Sequence, residues 1–251
     1  MLRTFGSTET TLTKLHEIRL GVMAQHFRQQ CLDPSMNELS FEERFGLLVD
    51  SEWSARKSNR LKRLIKNAGY AISNSCVENI AYHADRKIDK ALIIRLSTCS
   101  YINENHNVII MGATGVGKTY LSCALGNAAS RNFFTVKYTR LPDLFSDLAL
   151  ARAEGTYRKM LKHYTFPKML ILDDWLLYPL NEIESRDLLE IIEARHNNGS
   201  IIFSSQFDID CWHSKIADSV LADAVCDRIA HNSYSIIIAG ESMRKRNGIA
   251  D

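Results

Sequence analysis

At 251 residues with 45% hydrophobic side chains, the chain has material for one large domain, or for a main domain with a smaller appendage. The net charge of +2 is too small to argue for nucleic acid by itself. No apolar run approaches the roughly 20 residues that cross a membrane, and Met1-Leu2-Arg3-Thr4 lacks the apolar core of a signal peptide, so the expected location is the cytoplasm with no membrane partner.

From the N-terminus, Leu12, Leu15, Ile18, Leu20, Val22, Met23 and Phe27 follow the 3.6-residue period, which predicts an amphipathic helix over 11–31, ended by Asp33-Pro34-Ser35. Ser40 and Glu43 form a capping box that opens a second, long helix over about 41–67. Its second half carries Arg56, Lys57, Arg60, Lys62, Arg63 and Lys66 within eleven residues that contain no acid. Such a block either faces a phosphate backbone or is a solvated helix face. Gly69 marks the exit. Residues 70–90 are mixed in pattern and read as a linker, and 85–103 look helical again.

Asn107 to Met111 is a short apolar run of buried-strand type, and Gly112-Ala113-Thr114-Gly115-Val116-Gly117-Lys118-Thr119 follows it. This segment fits the phosphate loop Gly-x4-Gly-Lys-Ser/Thr, and Tyr120 onward reads as helix. Glycines let the backbone curl until its N–H groups cradle phosphate oxygens at the positive end of the following helix. Lys118 would reach the β/γ-phosphates, and the Thr119 hydroxyl would take one position on Mg²⁺. The nucleotide-binding set is therefore Gly112 to Thr119 with Tyr120, and the ligand is ATP with Mg²⁺. A guanine-reading Asn/Thr-Lys-x-Asp does not follow, which speaks against a GTPase.

Strand and helix then alternate as in parallel βαβ units. Strands are predicted over 132–138, 169–174, 200–206 and 234–238. Helices are predicted from Pro142 to about His163, over 182–196 with a Glu182/Arg186 pair, and around Val220 to Ile229. Only 13 residues follow Ile238, too few for a separate helical lid or for a small-molecule kinase. The organisation expected is a helical N-terminal DNA- or partner-binding domain (1–69), a linker (70–90) and an α/β core (91–251). Cys31, Cys76, Cys99, Cys123, Cys211 and Cys226 are scattered without metal-ligand spacing and read as reduced thiols. A Gly-x-Ser-x-Gly nucleophile elbow is absent from the sequence.

Asp173 ends an apolar strand 55 positions after Lys118, where an acid can hold Mg²⁺ through its waters. Asp174 would face the γ-phosphate and orient or deprotonate the attacking water. The polar tip Ser204-Ser205-Gln206 would lie between these groups if its strand runs between those of the phosphate loop and the acid pair. Either Ser205 or Gln206 would then sense the γ-phosphate. Arg228 would either reach a neighbouring subunit's γ-phosphate or pair within the chain with Asp223 or Asp227.

Leu39-Ser40-Phe41-Glu42-Glu43-Arg44, Asp50-Ser51-Glu52-Trp53, Gly115 to Thr119, Leu172-Asp173-Asp174-Trp175, Asp223 to Arg228 and Gly240 to Lys245 together resemble the IstB-like helper ATPases of bacterial insertion sequences, relatives of the DnaC-like helicase loaders within the AAA+ class. The resemblance spans nearly the whole chain. It implies an α/β P-loop NTPase (AAA+) parallel sheet with helices on both faces plus a small all-helical N-terminal domain. It also implies an ATPase, DNA-stimulated, that assembles as a homo-oligomeric ring or filament on duplex DNA and assists a partner transposase in transposition. By similarity Arg228 is the arginine acting in trans, and Arg244 the C-terminal residue nearest a sensor-two role. The chain departs from common patterns at Ala113, where Pro is frequent, at Leu176, where Gly often follows the aromatic residue, and at Asp174, where other AAA+ enzymes carry Glu. The rival reading is a helicase loader whose N-terminal helices grip a replicative helicase.

Overall fold

A computed structural model describes residues 4–246. The chain divides into two compact units, one up to Arg63 and one from Leu64 onward. The first unit holds α1 (Thr4–Glu17), α2 (Gly21–Leu32) and most of α3 (Phe41–Ala68). The single helix predicted over 11–31 is thus two. Arg19 takes a left-handed φ of 62°, and the N–H groups of Arg19 and Leu20 turn back onto the carbonyls of His16 and Leu15. The apolar period runs through this break, and each helix buries a residue of its own, Leu12 in α1 and Ala24 in α2. The predicted capping box does open α3: Ser40 N–H donates to Glu43 and Glu43 N–H to Ser40 Oγ. Among the described residues, no helix is long and apolar enough to cross a membrane.

In the second unit come α4 (Lys90–Ser97), α5 (Ser100–Asn103), β1 (Asn107–Gly112), α6 (Lys118–Arg131), β2 (Val136–Arg140), α7 (Leu141–Ala153), α8 (Tyr157–Thr165), β3 (Met169–Trp175), α9 (Glu182–Arg195), β4 (Ser200–Ser205), α10 (Ser219–Ala230), β5 (Ser233–Ile238) and α11 (Met243–Arg246). The helix predicted from Pro142 to His163 is interrupted at Gly155, which takes φ 70° and separates α7 from α8. The five strands are all parallel, in the order β2-β3-β4-β1-β5.

Alternate residues of each strand feed opposite faces of the sheet. Val108, Ile110, Ile171, Ile202 and Ile236 pack with α4, α5 and α6 on one side. Ile109, Met111, Leu170, Leu172 and Phe203 pack with α7 to α10 on the other. Burial on both faces explains why these strands read as continuous apolar runs. The stretch 70–90 contributes the buried Tyr70, Ile80 and Arg86 to this unit.

Candidate nucleotide site

The strand order sets β4 between β1, which delivers the phosphate loop, and β3, which delivers the acid pair. Register aligns Met111 with Ser205, so loop, polar tip and acids emerge at the carboxyl edge of one sheet. Ligands of open parallel sheets bind at this edge.

Gly112 ends β1, and α6 begins at Lys118. Gly115 and Gly117 take φ of 83° and 100°, and a Cβ on them would press on Ser242 and Arg86 respectively. A side chain at either position would clash with these neighbours, so the loop needs both glycines, as a backbone cradle for a phosphate chain does. The Lys118 ammonium folds back and donates to the carbonyls of Gly112 and Ala113, each at 2.9 Å. Burial lowers its pKa, while the charges of Asp173 and Asp174 oppose that shift.

Thr119 and Asp173 meet directly. Thr119 Oγ1 donates to Asp173 Oδ2 at 2.7 Å, Tyr138 donates its phenol to the same oxygen at 2.8 Å, and Asp174 N–H donates to Oδ1 at 3.1 Å. Burial, reinforced by the Asp173 charge, pushes the Tyr138 phenol far up, so it remains a donor. A hydroxyl beside a buried carboxylate is a hard oxygen set that fits Mg²⁺.

The β3/β4 register slips between Leu172 and Trp175, and Asp174 sits at this irregularity with φ 52°. Such a bulge re-aims a side chain at a sheet edge. The Asp174 carboxylate is met by Arg140 Nε at 2.7 Å. Leu176, where glycine is common, does adopt a left-handed φ of 49° and is fully buried.

The two residues at the β4 tip differ. Ser205 Oγ is buried; it accepts from Phe207 N–H at 3.0 Å and Trp212 Nε1 at 3.2 Å and donates to Phe207 O at 2.9 Å. Gln206 Oε1 instead accepts from the Thr114 hydroxyl of the phosphate loop at 2.7 Å.

Arg228, on α10, donates to Ala224 O at 2.8 Å and to Glu193 of α9 at 3.0 Å. Its intrachain partner is thus Glu193, not Asp223 or Asp227, because α9 and α10 lie side by side while those two acids pair with His213 and His231. The Arg244 side chain lies outside the described residues. The tail before it reaches the loop, since Met243 N–H donates to Gly115 O at 2.9 Å. Ile72, Tyr120, Met243 and the loop line a cavity of about 450 Å³, and the Tyr120 hydroxyl is held by the backbone of Cys76.

The six basic side chains of the cluster from Arg56 to Lys66 on α3 are exposed. Arg56 bonds Glu52 and the Arg19 carbonyl, and Lys57 lies 4.6 Å over the Trp53 ring.

Sequence reasoning missed Arg86, Tyr138 and Arg140. The only local signal for the last two is their i, i+2 spacing, which puts both on one face of a strand that ends at the site.

The sequence profile of the family described as "IstB-like ATP binding protein" matches residues 13–250. A Sinorhizobium fredii protein, y4pL, whose name assigns it to an insertion sequence and to ATP binding, is 39% identical over 94% of this chain and 96% of its own. A similarly named protein of Pseudomonas fluorescens insertion sequence IS1162 is 40% identical over 79% of this chain and 86% of its own. Among solved structures, DnaI aligns with TM-score 0.59 at 20% identity, covering 71% of this chain and 94% of that one. The DnaC helicase loader aligns with TM-score 0.56 at 22% identity, covering 66% and 97%. At such identities these two speak for the fold alone.

Proposed function

The chain belongs to the IstB-like ATP binding protein family of insertion sequences, and on that premise we propose that it hydrolyses ATP with Mg²⁺, assembles as a homo-oligomer on duplex DNA and assists a partner transposase. The observation that carries the enzymatic part is the 2.7 Å contact between Thr119 and Asp173. It joins the phosphate-binding helix to a buried acid 54 positions away, as a hydrolytic site requires and a merely glycine-rich turn does not.

In this reading the loop N–H groups bind the phosphates, and Lys118 exchanges its two loop carbonyls for β/γ oxygens. Thr119 and Asp173 would hold the metal, which when bound supplies positive charge that neutralises the negative charge developing on the phosphate oxygens as ADP leaves. Asp174 leaves Arg140, aligns the attacking water and accepts its proton on the carboxylate. Gln206 senses the γ-phosphate, while Ser205 scaffolds the strand tip.

The α3 cations bind duplex DNA through its phosphates, so affinity is largely independent of sequence and falls steeply with salt. A flat response from low to moderate salt, or full binding after charge reversal of Lys62 and Arg63, sinks the DNA assignment. For the whole proposal, ATP turnover and particle size are measured with and without duplex DNA for wild type and Lys118→Ala. The expected result is DNA-stimulated turnover and large particles for wild type only. Identical assembly of the two proteins rules out nucleotide control.

A further inference from the structure

Arg86 ends a short 3₁₀ turn (Ala84–Arg86) and is only 5% exposed. Its Nη1 donates to Ala81 O at 2.5 Å, and its Nη2 donates to Val116 O, inside the phosphate loop, at 2.7 Å. Its own carbonyl accepts from Ala239 N–H just after β5 at 3.0 Å. One residue thus joins the stretch before the core, the loop and the exit of the edge strand.

Peptide geometry gives these contacts a consequence. A trans peptide is planar with its C=O and N–H pointing opposite ways. Fixing Val116 O on Arg86 therefore turns the Gly117 N–H away from Arg86 and toward the hollow of the loop. The preceding peptide is treated alike: Met243 N–H holds Gly115 O at 2.9 Å, which aims the Val116 N–H. Two successive donors of the cradle are set from behind by residues far outside the motif. The guanidinium also lies close, since a Cβ on Gly117 would sit 2.9 Å from Nη2. It is permanently charged, and a charge in a water-poor site acts strongly on a nearby anion.

We propose that Arg86 is a positioning residue of the nucleotide site, which pre-sets the Gly117 N–H and adds a second fixed positive charge to that of Lys118. The site is thereby selective for nucleoside di- and triphosphates over monophosphates. This rests on the reading of Gly112 to Thr119 as an ATP site.

The test measures affinities for ATP, ADP and AMP, by competition against a fluorescent nucleotide, on full-length wild type, Arg86→Gln, Arg86→Lys and Lys118→Ala, with thermal unfolding in the absence of nucleotide as the folding control. Arg86→Gln is expected to weaken ATP and ADP on the order of ten-fold while AMP changes less than about two-fold, since the guanidinium charge and the Gly117 N–H that it orients act only on phosphates that reach the loop. Arg86→Lys, which keeps the charge but not the planar fork, falls between. A purely structural role would lower the unfolding midpoint and weaken all three ligands alike, and that result overturns the proposal. So does unchanged ATP affinity in Arg86→Gln. If Arg86→Gln does not fold, Arg86→Lys decides by the same ATP-to-AMP ratio, and failure of both to fold counts against the idea. Failure of the ATP reading looks different: wild type binds no ATP, or Lys118→Ala binds it as wild type does.

Discussion

Arg140 Nε lies 2.7 Å from Asp174 Oδ2, and this ion pair spans two adjacent strands at the sheet edge where the nucleotide phosphates are expected. The acid that the proposed chemistry needs is therefore held by a neighbour on β2. Both partners are accessible, with side chains 51% and 27% exposed, so the pair is worth little and is easily opened. Arg140→Ala is expected to raise basal ATP turnover, by up to about five-fold given the roughly 0.2–1 kcal/mol of an exposed pair, and to reduce further stimulation by DNA. Steady-state turnover with and without DNA measures this. A fall in basal turnover would mean that Arg140 aligns Asp174 instead of restraining it.

Ser205 and Gln206 are neighbours with separate jobs. Removing the Ser205 hydroxyl takes a buried acceptor from Trp212 Nε1 and Phe207 N–H. Ser205→Ala should cost about 1–2 kcal/mol in urea unfolding, with turnover per folded molecule falling much less than in Gln206→Ala. Gln206→Ala should unfold like wild type and lose about ten-fold or more in turnover, because the amide touches the loop at Thr114 and in the proposed mechanism faces the developing charge. The opposite pattern would assign the sensing role to Ser205.

These contrasts show which features can be read along a chain. β1, β3 and β4 are legible because strands buried on both faces are uninterrupted apolar runs, and the phosphate loop is legible because its chemistry needs fixed spacing within eight residues. The α1/α2 break is not legible. Nothing in His16-Glu17-Ile18-Arg19-Leu20 forbids a helix, and Arg19 enters its left-handed φ because tertiary packing outweighs a local cost of roughly 1–2 kcal/mol. Tyr138 and Arg140 gain meaning only from the register of β2 against β3, which pairs Arg140 with Asp173. Arg86 is hidden for the same reason, since its partner Val116 lies 30 positions on.

Glu52 yields a prediction that depends on pH. It is 7% exposed, and its carboxylate accepts from Arg56 Nε at 2.7 Å and from Met23 N–H, near the start of α2, at 2.9 Å. Burial alone would raise its pKa, but the bonds from Arg56 and Met23 hold it below the ordinary glutamate value. A carboxyl with a depressed folded-state pKa adds stability above its unfolded value of about 4.3, and loses it as pH falls through the folded one. Glu52→Gln should therefore reduce hydrogen-exchange protection of the first α2 amides at pH 7, by about 1–2 kcal/mol. Wild type should converge on the variant below about pH 4. A difference that persists undiminished into acid would show that shape, not charge, holds α2.

Arg228 sits about a third exposed in a single ion pair with Glu193, an interaction of at most about 1 kcal/mol that leaves the guanidinium able to swing outward. If it completes the site of the next subunit, Arg228→Ala should keep ATP binding and lose turnover by roughly 10³-fold or more. Asp174→Asn should likewise bind ATP, and so assemble, without turning it over. These two inactive proteins should then rescue each other, because a mixed assembly contains interfaces in which an intact Asp174 meets an intact Arg228. Random mixing of equal amounts places about a quarter of head-to-tail interfaces in that state, and turnover should recover toward that fraction of wild type. An Arg228 that served only to pair α10 with α9 would give no recovery at any ratio, and its loss would lower the unfolding midpoint in place of turnover.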